Sequence, residues 1–117
     1  MPYNEFLAER VNQALKQRSV PFFEKKMFGG LAFMVDNKMC LGVNKDQLMA
    51  RTDPELYDEM LKKPGAQTME FTGRPMKGFI FVNPEGIDTD EQLGDWIEYC
   101  LEYNPRAKAS PRKKKIQ

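Results

Sequence analysis

Between Phe22 and Arg51 no run of one character lasts longer than seven residues. Gly29-Gly30, then Asp36-Asn37-Lys38, then Asn44-Lys45-Asp46 cut the stretch at short intervals. The pieces left between them are Phe22–Phe28, Leu31–Val35, Met39–Val43 and Gln47–Arg51, rich in aromatic, branched and methionine side chains. Runs of this length bounded by Gly, Asn or Asp read as strands. Parallel neighbours need a crossover of about a dozen residues, so connections this short force an antiparallel meander. Glycine supplies the positive φ that tight hairpins require, which assigns Gly29-Gly30 to the first turn.

Helical patterns flank this meander. In residues 5–18, Leu7, Val11, Ala14 and Leu15 form one apolar stripe, with Asn4 placed to cap the start and Pro21 to mark the stop. A second helix is expected over residues 53–62, with Asp53 as N-cap, Pro54 at the first position and Leu56, Tyr57, Met60 and Leu61 buried. Two more strands follow at 68–71 and 79–82, joined by the loop "TGRPMKG". The clearest helix is 89–103, where Thr89 and Gln92 fit a capping box and Leu93, Trp96, Ile97, Cys100 and Leu101 share a face. The order α-β(4)-α-β(2)-α predicts one α+β domain over residues 1–103, its helices packed on an antiparallel sheet.

Residues 104–117 differ in kind. They hold six of the 18 Lys and Arg residues and no acid, leaving 12 bases against 17 acids, a net charge of −5, for residues 1–103. Two prolines and no apolar periodicity make this a basic tail expected to lack fixed structure. Arg112, Lys113, Lys114 and Lys115 are candidates for nucleic-acid phosphates, with steep salt dependence, although no interleaved aromatics are present to stack bases. The same charges also suit a solubilising tail, or one folded back on the acidic last helix.

Several chemistries are excluded by residue type. With no histidine there is no Ser-His-Asp or Cys-His catalysis and no His-ligated zinc. No G-x-x-x-x-G-K-[ST] or G-x-G-x-x-G motif occurs, and Gly29-Gly30 leads into a strand rather than a phosphate-holding helix. The Asp and Glu residues of 88–102 fall mostly on a solvated helix face, so no catalytic residue, metal or cofactor is expected. Cys40 could serve as a nucleophile only if a neighbouring lysine lowered its pKa; otherwise it is a buried strand residue between Met39 and Leu41. Two cysteines without C-x-x-C read as free buried thiols in a reducing cytoplasm. The N-terminus has no secretory-signal pattern, and the longest apolar run, Leu31–Val35, is far short of the ~20 residues that span a bilayer, so no membrane role is expected. The eight methionines read as adaptable core, or, if exposed on one sheet face, as a homodimer or peptide surface.

The richest candidate is the loop at 72–79. Gly73 and Gly78 free the backbone, Pro75 stiffens the middle, and Arg74 and Lys77 project from it. Lys26 and Arg51 sit at strand positions that could converge on the same sheet end. Together Lys26, Arg51, Arg74 and Lys77 would form a basic patch for an anion or a partner's carboxylates. The local alternative pairs Arg74 and Lys77 with Glu70 or the acidic last helix.

"KKMFGGLAFMV", "KMCLGV", "MEFTGRPMKGF" and the closing Trp96 helix resemble the N-terminal domain of TfoX/Sxy-type competence regulators, in register over residues 5–103. The motif residues that carry over are Lys26, Gly29, Gly30, Gly73, Arg74, Pro75, Lys77 and Gly78. The resemblance implies a secretion-chaperone-like α+β fold, a fold kind that often pairs as a homodimer. It also implies a cytoplasmic, non-enzymatic regulatory module that works through protein contacts, as relatives do in promoting transcription of DNA-uptake genes. Full-length regulators add a helical C-terminal domain where this chain has a short basic tail, so it resembles a stand-alone N-domain. A nucleic-acid accessory using the tail, and an enzyme or small-anion binder using Cys40 or the Arg74/Lys77 loop, remain as alternatives.

Overall fold

The computed structural model describes residues 3–27, 29–71 and 73–107, with the backbone but not the side chains of Glu70, Phe71, Arg74 and Pro75. Helix α1 runs Glu5–Gln17. The Asn4 side chain accepts from the backbone N–H groups of Phe6 (2.9 Å) and Leu7 (3.1 Å), satisfying two of the helix's unpaired donors. The expected stripe is buried at Leu7, Val11 and Leu15, with Ala8 added. Pro21 does not stop this helix. Val20 N–H donates to Leu15 and Ser19 N–H to Lys16, with Ser19 at φ 58, which is a Schellman end built on serine. Ser19→Gly should therefore stabilise the fold by about 0.5 kcal/mol, the left-handed penalty removed less the entropy glycine adds to the unfolded chain. An unchanged or lowered denaturation midpoint would contradict this.

The meander forms as expected: β1 Phe23–Met27, β2 Gly30–Val35, β3 Lys38–Asn44 and β4 Gln47–Arg51, each antiparallel to the next. Asp36 and Asn37 both take positive φ between the paired Val35 and Lys38, giving a type I′ hairpin. At the first connection the two glycines divide the work differently from the expectation. Gly29 takes φ +72 in the turn, whereas Gly30 already belongs to β2, paired with Met27. A Cβ on Gly30 would run into the Val43 carbonyl oxygen and come within 3.2 Å of the Asn44 Cα. Gly30 is there for close approach of β2 to β3, not for its φ.

The second helix is shorter than the 53–62 expected. Asp53 accepts from Glu55 N–H (2.9 Å), but it opens a 3-10 turn, Pro54–Leu56, and only Tyr57–Leu61 (α2) is α-helical. The tighter winding turns Leu56 out of the stripe, and it is 39% exposed. Strands β5 Ala66–Phe71 and β6 Arg74–Val82 replace most of the expected loop. Phe71 pairs with Arg74 across a two-residue connection holding Gly73 at φ +80. The register then shifts between Thr68 and Glu70, so Met76–Phe79 bulge out of the ladder. Helix α3, Asp90–Tyr103, carries the complete Thr89/Gln92 capping box and buries Leu93, Trp96, Ile97 and Cys100. A 3-10 turn, Asn104–Arg106, continues directly from it and buries Asn104 and Ala107, so fixed structure extends past the expected boundary at residue 103.

The six strands form one antiparallel sheet, ordered β1-β2-β3-β4-β6-β5. Its two faces hold different cores. Residues of all three helices pack with Leu31, Phe33, Leu41, Val43, Leu48, Ala50, Ile80 and Val82 on one face. The other gathers Ala32, Met34, Met39, Met49 and Met69 with Met27, Phe79 and Phe81, all of them strand residues. Four of these methionines are only 1–9% exposed, so they pack as core. A bulge in the β2–β3 ladder sorts the faces: Phe33 pairs with Leu41 and Met34 with Met39, leaving Cys40 unpaired. Cys40 thus joins Leu41 in the helix-side core while Met39 faces the other way. Among the described residues, no helix is long and apolar enough to cross a membrane.

Candidate functional site

The β6 bulge is built around Gly78. It takes φ +91, and its carbonyl accepts from the N–H of fully buried Thr52 at 2.7 Å. A Cβ at Gly78 would sit 3.0 Å from the Thr52 carbonyl oxygen and 3.2 Å from Pro54 Cγ. The close approach joins the end of β4 to the bulge and leaves a cleft of about 250 Å³ above the junction.

Three cations from three elements line it: Arg51 from the end of β4, Lys77 from the bulge, and Arg106 from the 3-10 turn after α3. The Arg51 guanidinium lies over the Phe79 ring, 5.3 Å from its centre, and donates to the Met39 carbonyl at 3.4 Å. Arg106 lies 5.3 Å over Tyr103 and donates to Asp53 at 2.8 Å. That bond, with the Glu55 N–H, holds the Asp53 carboxyl below its ordinary pKa, and Asp53 in turn raises that of Arg106. Lys77 is exposed and, among the described residues, has no ion-pair or hydrogen-bond partner. Among the described residues, no carboxylate side chain lines the cleft.

The four expected patch residues do not all meet. Arg51 and Lys77 do. Lys26 pairs with Leu31 on the helix-side face of β1, at the far edge and the opposite end of the sheet from Arg51. Arg74 starts β6, and its side chain lies outside the described residues, as does that of Pro75. Arg112, Lys113, Lys114 and Lys115 also lie outside them. Arg106 was missed because a boundary at residue 103 put it in the tail. The signal was present in Asn104-Pro105, a turn start directly after a helix that holds its neighbours in place.

Cys40 is 1% exposed, and burial pushes its thiol up to about 12 despite the nearby charge of Arg51. Burial raises the Cys100 thiol as well. At neutral pH Cys40 keeps its proton, and no thiolate is available as a nucleophile. Among the described residues no three Cys, Asp or Glu side chains gather as a metal would need.

The family model described as the TfoX N-terminal domain matches residues 14–103. That span runs from within α1 to the end of α3 and includes Arg51 and Lys77 but not Arg106. No curated protein and no solved structure matches the chain.

Proposed function

This chain belongs to the TfoX N-terminal domain family, and from that premise we propose that it is a small non-enzymatic regulatory module acting through protein contacts. The observation that carries the proposal is the convergence of Arg51, Lys77 and Arg106 on one cleft. Residues 1–103 carry a net charge of −5, so three cations gathered on one cleft are set apart from the surface around them. Arginine forks and a lysine point charge recognise anionic side chains of a partner, and complementary charge sets both encounter rate and choice of partner.

The test uses Lys77, whose exposed side chain supports nothing else among the described residues. Fluorescence anisotropy would compare a labelled hexaglutamate peptide on the wild-type chain and on Lys77→Glu. Affinity should fall about tenfold, with the melting temperature unchanged. Equal affinity would remove the cleft from the contact surface.

A further inference from the structure

We propose that the outer edge of β1 pairs with the same strand of a second copy of this chain, antiparallel and centred on Lys25, joining the two sheets into one. β1 ends the sheet, and all of Phe23–Lys26 is exposed. Among the described residues, no hydrogen bond is made to its outer backbone. The direction of its backbone groups follows from the hairpin at Asp36-Asn37. Val35↔Lys38 closes that hairpin as a hydrogen-bonded pair, so the odd-numbered residues of β2 bond to β3. The even-numbered ones, Gly30, Ala32 and Met34, then bond to β1. Their partners Met27, Lys25 and Phe23 turn their N–H and C=O groups inward. Those of Glu24 and Lys26 point outward from the edge.

A second copy fits this edge by charge. Exposed charges on an edge strand ordinarily deter pairing. Here they select a register. With only Glu24 and Lys26 able to exchange hydrogen bonds outward, the registers that overlap most of the strand set Glu24 against Glu24, Lys26 against Lys26, or Glu24 against Lys26. The first two bring like charges face to face, which is unfavourable; the third brings opposite charges together on both sides of a two-fold axis. Lys25 then meets its own counterpart on the axis, on the other face, where both side chains are exposed and solvent screens the repulsion. Glu24 is positioned for this: Asn12 of α1 holds one carboxylate oxygen at 2.8 Å, and the other has no partner among the described residues. Lys26 is exposed and has no ion-pair or hydrogen-bond partner among them either. On the methionine face the same register lays Phe23, 50% exposed, against the partner's Met27. The cleft sits at β4 and β6, away from this edge, so the contact is independent of the acidic-partner reading.

Sedimentation equilibrium of the full chain, from micromolar to near-millimolar concentration, tests this. The mean mass should rise from one chain towards two, and amide exchange at Glu24 and Lys26, open in the monomer, should slow as it does. Lys26→Pro removes an outward N–H but no bond to β2, and proline is tolerated on an edge strand. It should weaken dimerisation at least about tenfold while keeping the circular-dichroism spectrum of the folded chain. Glu24→Lys should weaken it comparably by setting lysine against Lys26. Adding Lys26→Glu to that variant should restore the dimer, because exchanging both charges recreates the pairing. A chain that stays monomeric throughout overturns the proposal. So does a dimer indifferent to Glu24→Lys, which would place the contact away from β1. A double variant no stronger than the single one overturns the register centred on Lys25.

Discussion

Gly30→Ala is expected to cost about 3 kcal/mol, at the upper end of what an overpacked site loses. The added methyl meets backbone, not a flexible side chain: the Val43 carbonyl oxygen and the Asn44 Cα at 3.2 Å. Relief requires β2 and β3 to separate at their joined ends, where Leu31 pairs with Val43. Gly73→Ala is the internal contrast. Its φ of +80 is unfavourable for alanine, yet among the described residues no heavy atom beyond its chain neighbours lies within 4 Å of the new methyl, so backbone strain of about 1 kcal/mol is what applies. Guanidinium denaturation of both variants checks the pair. Equal losses would mean that the β2–β3 spacing relaxes freely and that close approach is not what Gly30 provides.

A steep loss of stability in alkali is the second large effect. Burial raises the Cys40 thiol to about 12 from an ordinary 9.0. Below pH 9 the thiol is protonated in both states and adds no pH dependence. Between the two values the unfolded chain releases the proton while the folded chain keeps it, so stability falls as pH rises, by about 1.4 kcal/mol per pH unit. Over the whole window that amounts to about 4 kcal/mol. Cys100, raised in the same direction, steepens the fall. Cys40→Ala should be somewhat less stable at pH 8, from the small cavity it leaves. Its stability should then decline less steeply with pH than that of the wild type, by about 1.4 kcal/mol per unit above pH 9. Parallel curves for the two proteins would show that the buried thiol is not the titrating group.

Local chemistry made most of the fold legible. The caps at Asn4 and Thr89, the turn triplets and the stripes of the first and last helices each act over a few residues, and the structure realises them in the main, whereas Leu56 leaves the stripe of the second helix. What escaped depends on contacts between distant residues. The segment "TGRPMKG" has loop composition, yet most of it is strand, because β4 and β5 offer ladders on both sides of β6. No local pattern says that Gly30 must face the Val43 carbonyl, or that Cys40 is the unpaired residue of a bulge. The same limit governed the site. Arg51 and Lys77 were identified by residue type, but pairing them with Arg106 needed the turn after α3 to reach the end of β4. Lys26 was grouped with them on strand position alone, which does not reveal the face or the end of the sheet.

The strand order also sets how the fold comes together and apart. Every ladder in the meander joins strands adjacent in sequence, and so does β5–β6. Only β4–β6, from Leu48↔Val82 to Arg51↔Phe79, closes a long loop, through residues 52–78. Contacts of that separation carry the loop-closure entropy and limit folding rate. Among the described ladders, this seam therefore carries the largest loop-closure cost. Arg51 and Thr52 stand on one side of it, Lys77 and Gly78 on the other. An acidic partner bound between them, as proposed above, would tie the two sides of the seam together and stabilise the folded sheet by mass action.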